Sequence, residues 1–149
     1  MRKNLTSNNM LTDIYTAIKT QLTTVVTAAK DIQWFNMQYD TTIATDNILL
    51  IEFPDPIVFP QESNQQKTGE IRIRIHVVHQ MLSQHDGSIT DSLVTDHDTL
   101  AESVRTALSR FRPSGGYCNT LQFTTWQHWH RMKGLMITFV DFSTHKKIV

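Results

Sequence analysis

From residue 70 to 78 the chain reads EIRIRIHVV, with an apolar residue at every second position up to Val77. Side chains alternate across an extended strand. Ile71, Ile73, Ile75 and Val77 are therefore expected on one face, and Arg72, Arg74 and His76 on the other. A different period governs residues 11–25, where Leu11, Ile14, Ile18, Leu22 and Val25 recur at three- and four-residue steps. That spacing is one stripe of a helix, predicted over residues 9–29, with Ser7, Asn8 and Asn9 as N-cap candidates. A second stripe, Leu100, Val104, Ala107, Leu108 and Phe111, predicts another helix in TDHDTLAESVRTALSRFRP. Thr99 and Glu102 have capping-box spacing, Arg105, Arg110 and Arg112 suit the negative end of the helix dipole, and Pro113 supplies a stop. This places Asp96, His97 and Asp98 at the helix start and His85-Asp86-Gly87 in a turn before it.

Between and after the helices the pattern is that of strands. Residues 32–39 (IQWFNMQY) and 47–53 (NILLIEF) are two candidates. Pro54, Pro56 and Pro60 then remove backbone donors, so residues 53–60 are expected to run extended at an edge. Residues 61–69 (QESNQQKTG) are polar throughout and predict a mobile loop. TLQFTTWQHWH and LMITFVDF predict a hairpin turning at Lys133-Gly134, followed by a flexible tail near 144–149. The sum is a single α+β domain over residues 1–149, with a mostly antiparallel sheet and two helices packed on one face. The last strand is apolar on both sides, with Leu135, Ile137 and Phe139 on one and Met136, Val140 and Phe142 on the other. Two helices cover one face of such a sheet. The second face then needs returning strands or another subunit.

Composition narrows the function classes. The 149 residues are 40% hydrophobic and 19% charged, which suits a folded globular chain. A single cysteine, Cys118, excludes an intramolecular disulfide and points to a reducing compartment. The first residues lack an apolar run behind Arg2 and Lys3, so no secretory signal is expected. The longest wholly aliphatic run, residues 48–51, is far below the ~20 residues of a membrane helix. Net charge is zero, yet residues 51–100 hold eight Asp/Glu against three Lys/Arg, and residues 101–149 hold two against seven. A general nucleic-acid binder is usually net basic, whereas segregated signs suit a partner met in one orientation.

Candidate chemistry is sparse. His76 and His79 are three apart and fall on opposite strand faces, so they do not close on one metal ion. His128 and His130 share a face, a genuine ligand spacing, but zinc needs three or four ligands. A third would come from Asp141, His145 or a distant histidine; otherwise the pair are polar or interface histidines beside Trp126 and Trp129. The Arg72, Arg74 and His76 row is a solvated strand face, a subunit seam or a phosphate contact. No nucleophile elbow, phosphate-binding glycine loop or dinucleotide fingerprint occurs. No catalytic residue and no cofactor is predicted.

The order of elements itself carries a likeness. A long first helix precedes an aromatic strand and ILLIEFPDPIVF; a polar loop, GEIRIRIHVV, a helix opened by DHDTLAESVRTALSRF and a strand pair ending in LMITFVDF follow. Over roughly residues 11–142 this resembles the tail-terminator and tail-completion (head–tail joining) proteins of long-tailed bacteriophages and prophages. The resemblance implies a non-enzymatic ring, commonly of six subunits, that caps the tail tube and offers its other surface to the head connector. Its partners would be further copies of itself, tail-tube and head-connector proteins, with no membrane and no sequence-specific nucleic acid. It would act in the bacterial cytoplasm during assembly and then in the virion tail or neck. Arg72, Arg74, His76, Trp126 and Trp129 are the expected subunit-interface residues. The competing readings are a small metal-binding module or enzyme using His128 and His130, and a nucleic-acid-binding accessory protein using Arg72, Arg74 and the basic C-terminal third.

Overall fold

The computed structural model describes residues 11–40, 47–60, 67–81, 87–115, 118–130 and 134–148. Two helices, α1 (Thr12–Val25) and α2 (Asp91–Leu108), accompany five strands: β1 (Asp31–Trp34), β2 (Ile48–Glu52), β3 (Lys67–Gln80), β4 (Gln122–Trp129) and β5 (Leu135–Ile148). They form one sheet in the order β1-β2-β3-β5-β4. Only the β1–β2 pair is parallel. The α+β class, the mostly antiparallel sheet and the two helices agree with the sequence pattern.

The alternation in β3 does what its period requires. Ile71, Ile73, Ile75 and Val77 are fully buried, together with Leu49 and Ile51 of β2 and Val140 and Phe142 of β5. Ile14, Ile18 and Leu22 of α1 and Leu100, Ala101, Val104 and Leu108 of α2 close over them. The opposite face holds a second cluster, Ile48, Leu50, Val78, Ile137 and Phe139. No folded-back strand covers it in the described residues. Phe35 and Tyr39, from the segment after β1, and Trp129 of β4 pack there instead. The chain thus shields with its own aromatics a face expected to need returning strands or a neighbour.

Several boundaries differ from the sequence expectation, each for a local reason. α1 stops at Val25; its Thr23 and Thr24 hydroxyls donate back to the Lys19 and Thr20 carbonyls, a bond that weakens a last turn. The expected N-cap residues of α1 lie outside the described residues. β1 ends at Trp34, and Met37 adopts a positive φ of 59° before a short 3-10 turn at Gln38–Asp40. α2 begins at Asp91, where the Thr90 hydroxyl accepts the Leu93 N–H. Thr99 is therefore mid-helix, its carbonyl accepting the Ser103 hydroxyl, and Glu102 pairs with Arg105 rather than closing a box. The helix ends before Arg110, which sits at φ 63° with its N–H donated to the Leu121 carbonyl. β5 runs on to Ile148, so the expected tail from residue 144 is paired with Lys67–Ile71. The buried Thr144 hydroxyl further donates to the Asn119 carbonyl.

Residues 67–69, expected in the polar loop, open β3, while residues 61–66 lie outside the described set. Residues 53–60 form no strand; Ile57 and Phe59 fold over the start of β3 instead. A Cβ on Gly69 would stand 2.6 Å from the Phe59 ring and 2.9 Å from Ile57. Gly69→Ala is accordingly expected to cost about 1–3 kcal/mol by overpacking, read as a lowered midpoint in thermal denaturation. An unchanged midpoint would mean that the 53–60 segment does not lie over β3.

Candidate functional site

Strand alternation sends Arg72, Arg74 and His76 to the sheet face away from the helices, but their environments differ. Arg74 donates from Nε and Nη2 to the two Asp141 carboxylate oxygens at 3.0 and 3.1 Å, across the β3–β5 ladder. The Thr125 hydroxyl reaches the same carboxylate at 3.0 Å, and the guanidinium lies 4.5 Å from the Phe139 ring centre. Burial works against the Arg74 cation, yet the Asp141 hydrogen bonds and the nearby charges of Asp141, Glu52 and Asp55 together outweigh it and raise its pKa. Arg74 is therefore committed inside its own chain.

His76 is buried, stacked on Phe35 at 4.3 Å and set edge-on to Phe139 at 4.6 Å. Its Nδ1 meets the Tyr39 hydroxyl and its Nε2 meets Glu52 Oε2, both at 2.5 Å. Burial lowers the His76 pKa in spite of Glu52, and burial with Glu52 raises that of Tyr39. The Tyr39 phenol thus keeps its proton and donates it to Nδ1, while Nε2–H donates to the carboxylate. His76 is a neutral buried group that ties the post-β1 segment to β3. Of the expected basic row only Arg72 stays on the surface, 3.6 Å from Asp55. Trp129 is half-buried on this face beside Tyr39 and Phe139, whereas Trp126 pairs with Val140 on the helix side. The five expected interface residues do not form one patch.

The helix side holds an arrangement that the sequence did not reveal. His128 and His130 share that face, ring centres 5.4 Å apart, as the H-x-H spacing predicts. His97 of α2 stacks on His128 at 5.6 Å, and its Nδ1 lies 2.8 Å from Nδ1 of His79. The other His97 nitrogen, Nε2, meets the Thr138 hydroxyl at 2.7 Å, and Thr138 meets His128 Nδ1 at 2.8 Å. His128 Nδ1 is also 3.3 Å from the Ile137 carbonyl, which only accepts, so this nitrogen carries the proton. The order of donation follows: His128 Nδ1–H to Thr138, the Thr138 hydroxyl to His97 Nε2, and His97 Nδ1–H to His79. Burial, then His79 and His128, push the His97 pKa down to about 3, so the chain is built on a neutral imidazole.

This geometry does not converge on a metal ion. The two His97 nitrogens aim at different partners, and the Thr138 hydroxyl stands between His97 and His128. Among the described residues no three His, Cys, Asp or Glu groups are arranged to hold one. Cys118 is buried, and burial raises its thiol pKa, away from nucleophile chemistry. The sequence pattern singled out His79 and His97 separately but not their meeting, because they are distant in the chain. The available signal was that His97 precedes Ala101, Val104 and Leu108 on one helical stripe.

No family model matches the chain, and no curated protein matches its sequence. No described helix is long and apolar enough to cross a membrane. In fold, the chain is similar to one from the virion of a native gene transfer agent particle. The TM-score is 0.67 over 95% of this chain and 100% of that chain, at 13% identity. What the two share at that identity is the fold, from end to end.

Proposed function

We propose that this protein is a structural component of a phage or prophage virion. In this reading it forms a ring at the end of the tail and joins the tail tube to the head connector. The observation that carries the reading is the end-to-end fold likeness to a virion chain. The order of elements supports it independently, since the helix–strand–ribbon–helix–hairpin succession is the one in which the sequence resembles tail-terminator and tail-completion proteins. The interior chemistry agrees: His76, His97 and Arg74 are taken up by bonds within the chain, which suits a scaffold rather than an enzyme. Its partners are further copies of itself, the tail tube and the head connector. It is made in the bacterial cytoplasm and ends in the tail or neck of the particle.

Deleting the gene from its phage or prophage and imaging the lysate tests this. Filled heads are expected to accumulate apart from tails, with infectious titre lost. Normally joined particles in the deletion strain would overturn the reading.

A further inference from the structure

The sheet ends in two edges, β1 and β4, and among the described residues neither pairs with a strand on its outer side. Edges are normally protected by charge, proline or shortness. β1 has four residues, but β4 has eight (QFTTWQHW) with neither charge nor proline. One irregularity lies between Phe123 and Thr125, and the ladder is regular from Thr125 to Trp129.

The two edges match. Followed from partner to partner, one rung of the sheet reads Trp34, Ile51, Ile75, Val140, Trp126, and the next reads Gln33, Leu50, His76, Phe139, Gln127. The first rung faces the helices, and its two ends are exposed tryptophans, Trp34 at 43% and Trp126 at 36%. One parallel and three antiparallel steps separate β1 from β4, so the two strands run in opposite directions. A second copy set beside the first in the same orientation therefore brings its β1 antiparallel to β4, with both helix layers on one side. Trp34 then meets Trp126, and Gln33 meets Gln127. Charge agrees. Lys19 flanks the β1 edge, its ammonium 5.9 Å from the centre of the Tyr15 ring that packs edge-on against Trp34. Asp98 is exposed seven residues before Arg105, hence on the α2 flank where Arg105 overhangs Phe123 of β4.

We infer that β4 is the docking edge for β1 of a second copy of this chain, giving a sheet continuous across subunits. The contact is heterologous, one edge against the other, and a fixed rotation from copy to copy is what lets its repetition close into the ring proposed above. The inference rests on the ring reading above and names the seam of that ring.

Single-cysteine variants test it. Gln33→Cys and Gln127→Cys both change exposed side chains, and the buried Cys118 does not compete. Mixing the two proteins with a short thiol crosslinker is expected to give a covalent dimer that neither gives alone. The double variant is expected to give a ladder up to the ring size. Trp126→Lys should raise the concentration for half-assembly at least about tenfold in light scattering. A dimer from Gln127→Cys alone would show two-fold β4–β4 pairing and overturn the inference. Oligomers without the mixed crosslink would overturn this seam while leaving the ring. A strict monomer at high concentration would overturn both.

Discussion

Lowering the pH from about 7 to about 4.5 is expected to cost the fold about 2–3 kcal/mol in urea denaturation, through His97. His97 is 1% exposed, and its pKa in the folded chain is pushed down to about 3 from 6.5. The folded-state value is the lower one. The unfolded chain takes up a proton as pH falls through about 6.5, and the folded chain refuses it until near 3. Each unit in that window favours unfolding by about 1.4 kcal/mol. His76, lowered by burial, acts in the same direction. Protonated, His97 becomes a double donor, and the Thr138 hydroxyl that was giving to Nε2 loses its acceptor. His97→Leu should lower stability at neutral pH, because Thr138 and His79 lose partners, yet flatten the acid slope. A wild-type stability that stays level down to about pH 4.5 would refute the neutral histidine chain.

Asp141→Ala is expected to destabilise the protein by about 2–4 kcal/mol, below the range for a fully buried pair because both groups keep some solvent. Asp141 is 18% and Arg74 28% exposed at the side chain. Removing the carboxylate strands a guanidinium against the Phe139 ring and leaves the Thr125 hydroxyl without its acceptor. Thr125→Val should cost far less, about 1 kcal/mol, since it removes one neutral donor. Urea midpoints of the two variants, measured together, separate the ion pair from the hydroxyl. An Asp141→Ala midpoint equal to wild type would mean that the pair is solvated and contributes nothing.

What the sequence showed and what it hid divide along a physical line. The faces of β3 and the doubly apolar β5 were legible because a period of two needs no partner to be recognised. The stripe of α1 was equally plain at Ile14, Ile18 and Leu22, but Val25, read as its last member, is exposed at 47% and Val26, just past the helix end, takes the buried place. The start of α2 was hidden because the inward position one turn before Leu100 and Ala101 is His97, a polar residue where the pattern wants an apolar one. The covering of the second face was hidden too, since it comes from Phe35 and Tyr39 in a segment that read as strand. The histidine chain joins β3, α2, β4 and β5, and no local spacing encodes that meeting. The outward row misled for a related reason: alternation gives the face of Arg74 and His76, but whether a face is wet depends on what the rest of the chain lays over it.

The central ribbon has a bearing on how the chain comes to be folded at all. β3 and β5 pair along their whole lengths, from Lys67 with Ile148 to Gln80 with Leu135, and both α2 and β4 lie between them in the chain. Closing such distant pairs is slow, because loop-closure entropy is lost before the contacts return anything. On the ribosome, β3 therefore waits with an open edge until residues 135–148 have been made, and β4 has no strand to join until then. A chain stopped before β5 would be no smaller version of the domain. It would carry an alternating Ile-rich strand paired only with the short β2 and open along its other edge, the kind of segment that aggregates or is degraded.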